Sequence, residues 1–139
     1  MEETLSSGGP ETVSSRVEGG VAIIYAGGYL NKINGERTKR ECRDRLQNGC
    51  RALVINFSDT EIVNSIGVSI LLGVIDAAEE REARLCFCNV NNHTAQLFLM
   101  LGLARHVYLA PTEEAALVWL NAANAAAVSI ISTTPTQRH

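Results

Sequence analysis

Within the run "RALVINF" the residues Ala52, Leu53, Val54 and Ile55 are apolar at four successive positions. Strand side chains alternate between the two faces of a sheet, so a strand apolar at odd and even positions alike needs cover on both sides. Such a strand belongs at the centre of a largely parallel sheet with helices packed against it. A second run, "VAIIYAG", has the same character. It follows "TVSSRVE" across Gly19-Gly20, a pairing that predicts a β-hairpin at one edge.

Helical spacing fills the intervals. Thr38, Cys42 and Leu46 form a thin stripe at four-residue intervals, predicting a helix over 35–47 with Asn34 as its N-cap and Asn48-Gly49 at its end. In "VNSIGVSILLGVIDAAEE", Ile66, Ile70, Leu71, Val74, Ile75 and Ala78 recur at helical spacing, and charge enters only at Asp76, which predicts a buried helix capped by Asn64 or Ser65. "ARLCFCNV" reads as a strand, "NNHTAQLFLMLG" as a capped helix closed by Gly102, and "HVYL" as a short strand. Thr112 caps a last helix, with Glu113 and Glu114 where the helix dipole favours negative charge. The order ββαβαβαβα defines an α/β fold: a mixed, mostly parallel sheet of about five strands with about four helices.

A chain of 139 residues with 46% hydrophobic content and a net charge of −3 has room for one such domain. Its expected limits are 12–122. Residues 1–11, polar with Gly and Pro, read as a flexible arm, and 123–139 as the Ala-rich end of the last helix followed by a tail. Nothing basic and then apolar follows Met1, so the cytoplasm is the expected compartment. No charged residue falls between Ala115 and Gln137, but two asparagines and a predominance of alanine argue against a membrane span, and no membrane partner is expected. The Ala-rich end offers a surface for a second subunit in a weak homodimer.

Chemistry-bearing groups are sparse. Cys42, Cys50, Cys86 and Cys88 form no CxxC pair and read as reduced, mostly core thiols, so Cys86, Cys88 and His93 are not read as metal ligands. Asp59 and Glu61 are loop carboxylates without a neighbouring histidine, and no GxGxxG or Walker pattern occurs. No enzyme, cofactor or metal is therefore expected. Seven basic and three acidic residues lie between Lys32 and Arg51, a local excess of +4 that leaves −7 on the rest of the chain. That segment is either a solvated helix face or an electrostatic docking surface, with Arg40 and Arg43 its central charges. Nucleic acid is not the expected partner, because interleaved aromatics are absent and the whole chain is acidic.

Ser65 stands apart. It follows a central strand and a polar turn, at the first turn of an apolar helix, where backbone N–H groups lack partners and the dipole is positive. It is either a cap or an exposed hydroxyl at the carboxyl edge of the sheet, where open α/β sheets carry function. Ser69, one turn later, reads as a helix serine bonded back to a carbonyl.

The run "LVINFSDTEIVNSIGVSILLGVIDAA" resembles the signature of the STAS domain, the family of sulfate transporters and anti-sigma factor antagonists: apolar strand, polar loop, Asp-Ser-x-Gly, apolar helix. Upstream, "VAIIYAGGYLN" is similar to the family's second strand and Gly-x-Leu-Asp turn. Downstream, "LCFCNVNNHTAQLFLMLGLARHVYLAPTEEAAL" is similar to its later elements. The resemblance implies a bacterial regulatory binding module. In the antagonist branch the unphosphorylated domain binds an anti-sigma factor that is also a serine kinase, freeing a sigma factor; phosphorylation of the serine, here Ser65, ends the complex, and a metal-dependent serine phosphatase resets it. Asn31, Asn64, Ser65, Ile66, Gly67, Arg40 and Arg43 are the expected partner-binding residues. This chain departs from the pattern in having Asn31 and Asn64 where the family has acidic residues, which leaves open an alternative: a STAS scaffold or adaptor that acts without phosphorylation.

Overall fold

The structure, a computed structural model, describes residues 12–121. The expected arm at 1–11, the end of the last helix and the expected tail at 123–139 lie outside them. Strands β1 (Ser14–Glu18) and β2 (Val21–Tyr25) form the expected hairpin, with Gly19 and Gly20 at φ 59° and 83° in the turn. Two successive positive φ values are the geometry that two-residue hairpin turns require, and only glycine adopts it without cost.

The remaining elements follow in order: β3 (Tyr29–Leu30), α1 (Lys32–Gln47), β4 (Ala52–Asn56), β5 (Ile62–Val63), α2 (Ser65–Glu80), β6 (Arg84–Cys88), α3 (Asn92–Met100), a 3₁₀ turn (Leu103–Arg105), β7 (Tyr108–Ala110) and α4, helical over 113–121. The main sheet runs β1-β2-β4-β6-β7, antiparallel at the hairpin and parallel elsewhere. All five residues of β4 are buried, as its composition demands. Leu53 and Ile55 face one apolar core, with Leu71, Val74, Phe87 and Phe98, while Ala52 and Val54 face a second, closed by Ala116 and Leu120 of α4. Phe57, Phe87 and Phe98 meet at centroid distances of 5.2 to 5.7 Å, mostly edge-on, directly beneath the loop that follows β4.

Two local expectations are corrected, for the cap of α1 and for Ser69, and one small sheet is added. Helix α1 begins at Lys32 and not at Gly35, because Asn31, extended at φ −116°, accepts the Asn34 amide at 3.0 Å; Asn34 donates to this cap and is not the cap itself. Strands β3 and β5 form a separate two-stranded parallel sheet, Tyr29 against Ile62 and Leu30 against Val63, which is too short to show a period in sequence. Ser69 is exposed, and its hydroxyl bonds to no carbonyl among the described residues.

Glu113 does more than complement a dipole. Its carboxylate pairs with Arg16 and accepts hydrogen bonds from Tyr25 Oη and Asn56 Nδ2, both at 2.9 Å, pinning the start of α4 to the middle of β1 and the ends of β2 and β4.

Burial pushes the Cys42 and Cys88 thiols up to about 12 and Cys86 up to about 11, from an ordinary value of 9.0. In the unfolded chain these thiols ionise near the ordinary value, so their contribution to stability is intact below about pH 9 and is lost as pH rises towards 12. The urea midpoint is therefore expected to fall over that window, and to fall less steeply in Cys42→Ala. An equal slope for both proteins would show that other groups carry the alkaline transition.

Candidate functional site

Two β-Asn-α units converge at the carboxyl edge of the main sheet. Leu30 and Val63 are paired in the small sheet, so the next residues, Asn31 and Asn64, begin α1 and α2 side by side. Each asparagine is an N-cap: Asn31 Oδ1 takes the Asn34 N–H at 3.0 Å, and Asn64 Oδ1 takes the Gly67 N–H at 2.8 Å. Asn64 N also donates to Leu30 O at 3.1 Å, and Asn64 Nδ2 to Tyr29 Oη at 3.4 Å, which ties the two units together. The loop before β5 is held from below, since Thr60 Oγ1 donates to Gly27 O and Glu61 N to Gly28 O at 2.8 Å.

Ser65 is the first residue of α2 and is exposed. With the Gly67 amide taken by Asn64, the N–H groups of Ser65 and Ile66 have no acceptor among the described residues, so the unfilled donors of the helix start lie at the serine itself. Ile66, expected both in the apolar stripe of α2 and among the partner-binding residues, is 50% exposed and so lies off the stripe. Its neighbours Gly67 and Val68 turn into the core in its place, because the buried face of α2 runs through Gly67, Val68, Leu71, Val74 and Ala78.

The structure adds residues that sequence reasoning missed. Tyr29 (43% exposed), Ile33 (63%) and Ile62 (56%) join Ile66 as large apolar side chains presented to solvent at the two helix starts. Ile33 carried a legible signal, since it lies off the Thr38-Cys42-Leu46 stripe. Tyr29 and Ile62 carried none, because strand pairing alone brings them together. Asp59 and Glu61 line a shallow 260 Å³ hollow beside them, with Gly28, Tyr29, Asn34 and Ile62.

Gly67, expected to touch a partner, is buried against Leu30 and serves to position the helix start. Arg40 and Arg43 are exposed on α1, about 13 and 18 Å along the axis from Asn31 at 1.5 Å per residue. They do not border Ser65 but continue the outward surface that Ile33 begins. Lys32, Arg37, Arg40 and Arg43 form no ion pair among the described residues, whereas Arg45 is spent on Ser15 Oγ at 2.9 Å. No group of three His, Cys, Asp or Glu side chains among the described residues could hold a metal, and no helix there is long and apolar enough to cross a membrane.

A five-stranded mixed sheet with α1 and α2 starting together at its carboxyl edge, and a serine opening α2, defines the STAS class. The STAS domain profile matches residues 12–116, and the chain belongs to that family. A Bordetella bronchiseptica protein, BtrV, named as an anti-sigma factor antagonist, is 24% identical over 97 residues, covering 70% of this chain and 84% of BtrV. Among solved structures, the unphosphorylated anti-sigma factor antagonist SpoIIAA superposes with a TM-score of 0.69 at 19% identity, over 80% of this chain and 97% of SpoIIAA. An anti-sigma factor antagonist from Mycobacterium paratuberculosis also gives 0.69, at 20% identity over 79% of this chain and 93% of that one. The phosphorylated form of SpoIIAA from Bacillus gives 0.64 at 21% identity, over 78% of this chain and 99% of that one.

Proposed function

We propose that this protein is an anti-sigma factor antagonist: unphosphorylated, it binds an anti-sigma factor that is also a serine kinase and so releases a sigma factor, and phosphorylation of Ser65 ends the complex. A metal-dependent serine phosphatase would restore the binding form. The observation that carries this reading is the exposed Ser65 hydroxyl at the start of α2, set beside four exposed apolar side chains, Tyr29, Ile33, Ile62 and Ile66. Exposed apolar groups gathered around one small polar residue suit a protein interface with a dry centre. A phosphate adds about −1.5 to −2 charges at that centre. The helix start tolerates it through the dipole and the N–H groups that have no acceptor among the described residues.

Asn31 and Asn64 fit the same reading. Each performs the capping that an aspartate would, so the loss of two carboxylates leaves the helix starts intact. It also removes negative charge beside the phosphate, whose attachment at Ser65 then meets less repulsion. The adaptor alternative keeps the same surface and dispenses with the modification. Incubating the protein with its anti-sigma factor kinase and ATP, then mapping phosphate by mass spectrometry, separates the two. Phosphate on Ser65 is expected, and an unmodified Ser65 under conditions where the kinase is active would leave only the adaptor.

Arg40 and Arg43 extend the surface as an electrostatic guide. In water an intramolecular pair from such residues is worth roughly 0 to 1 kcal/mol, and none is formed among the described residues. Replacing both by Gln is expected to leave the melting temperature unchanged, slow association with the anti-sigma factor, and flatten its salt dependence, since the Debye length is only about 10 Å at 0.1 M. Unchanged rates at low and high salt would make this face a solvated one.

A further inference from the structure

At the opposite end of the sheet from Ser65, a cavity of 440 Å³ opens where the end of α2, the start of β6, the 3₁₀ turn and Trp119 of α4 meet. We propose that it is a binding site for a small aromatic anion, a planar ring carrying one carboxylate or phosphoryl group. Its volume lies in the range of small-molecule pockets, which combine an apolar lining with a few fixed polar groups.

The apolar part is in place. Ile75 and Ala78 of α2, with Val107, supply a floor that is buried. Across the amino ends of β6 and β7, on the other face of the sheet, Tyr108 and Trp119 are stacked, with ring centroids 4.8 Å apart and planes 25° from parallel. Neither ring is buried, and both line the cavity. A ligand ring gains most against such a pair in an offset stack.

Charge selects the substituent. Arg84, fixed on the first residue of β6, and Arg105, at the end of the 3₁₀ turn, both line the cavity. Neither guanidinium has a hydrogen-bond or ion-pair partner among the described residues. The single carboxylate in the lining, Glu79, lies 3.5 Å from His106 Nδ1. Two unengaged planar forks are suited to a carboxylate or a phosphoryl group, which they hold through paired N–H donors. A small hydrated anion without a ring would forgo the apolar floor and the stack, and a neutral ring would leave both cations unmatched. The ring and the charge are needed together.

Trp119 is the only tryptophan of the 139-residue chain, so its fluorescence reports occupancy directly. Benzoate and phenyl phosphate, titrated into the full chain, are expected to change that emission saturably. Benzyl alcohol and acetate should bind at least about tenfold more weakly. The Arg84→Gln/Arg105→Gln double variant should lose about tenfold for the anionic rings while keeping its circular dichroism and melting temperature. The tighter of benzoate and phenyl phosphate identifies the anionic group preferred. Ser65→Asp should bind both rings as the parent does, which separates this site from the proposed partner surface. Three results would each overturn the proposal: no saturable response to either ring up to about 10 mM, equal binding of benzoate and benzyl alcohol, or undiminished binding by the double variant.

Discussion

Ser65→Asp is expected to fold as the parent protein does and to bind the anti-sigma factor at least about tenfold more weakly, approaching a hundredfold, while Ser65→Ala binds normally and accepts no phosphate. The two halves of this expectation rest on different physics. Within the domain, the new carboxylate sits at the first turn of α2, beside N–H groups that have no acceptor among the described residues. Dipole and donors favour the charge there by a few tenths to about 1 kcal/mol. Across the proposed interface, where Tyr29, Ile33, Ile62 and Ile66 are exposed, the same charge must leave water. Without a matching cation on the partner that costs several kcal/mol, which outweighs the gain at the helix start. Calorimetric affinities for the three proteins, with melting temperatures alongside, test both halves. Equal affinity of Ser65→Asp and the parent would remove the switch and leave the adaptor reading.

The second large effect concerns Gly67, where Gly67→Ala is expected to destabilise the domain by about 2 kcal/mol, a fall of roughly 5 to 10 °C in melting temperature. A Cβ at this position would overlap the carbonyl oxygen of Leu30 and lie 2.9 Å from its carbonyl carbon and 3.0 Å from its Cγ. Those are mainly backbone atoms of β3, and the same carbonyl accepts the Asn64 N–H, so they cannot retreat without opening the junction between the two β-Asn-α units. Helix propensity works the other way by up to about 1 kcal/mol, too little to offset overpacking against backbone. Gly35→Ala makes the control. Its Cβ would meet the tip of Ile70, Cδ1 at 2.9 Å, which can swing aside, and the variant is expected within about 1 kcal/mol of the parent. Similar losses for the two variants would mean that the Leu30 contact is not what demands glycine at 67.

Much of the scaffold was legible before any tertiary structure. The two-sided apolar character of β4, the Gly19-Gly20 hairpin, the buried stripe of α1 and the late entry of charge in α2 each impose a local period, and a period survives in one dimension. The position of Ser65 at a helix start followed from the same signal. What had no period was misread or missed. The cap of α1 lies three residues before the expected Asn34, because several asparagines nearby could accept an amide and the choice falls to Asn31, whose backbone is extended.

For the candidate site, the sequence by itself determined the chemistry: a serine, two asparagine caps, a basic helix face. Tertiary structure alone decided the surface. Pairing of two-residue strands sets Tyr29 against Ile62 and brings Asn31 beside Asn64, although more than thirty residues separate them in the chain. The rotation of α2 on the sheet turns Ile66 outward and Gly67 inward, a choice made by the close approach to Leu30 and not by hydrophobicity, which would have chosen the reverse. The Tyr108-Trp119 stack and the two arginines near it, without partners among the described residues, arise in the same way, from elements whose meeting is fixed by sheet order. A local pattern records which face of an element is apolar; which apolar residues stay in water depends on how closely other backbones can approach, and that is settled only when the elements pack.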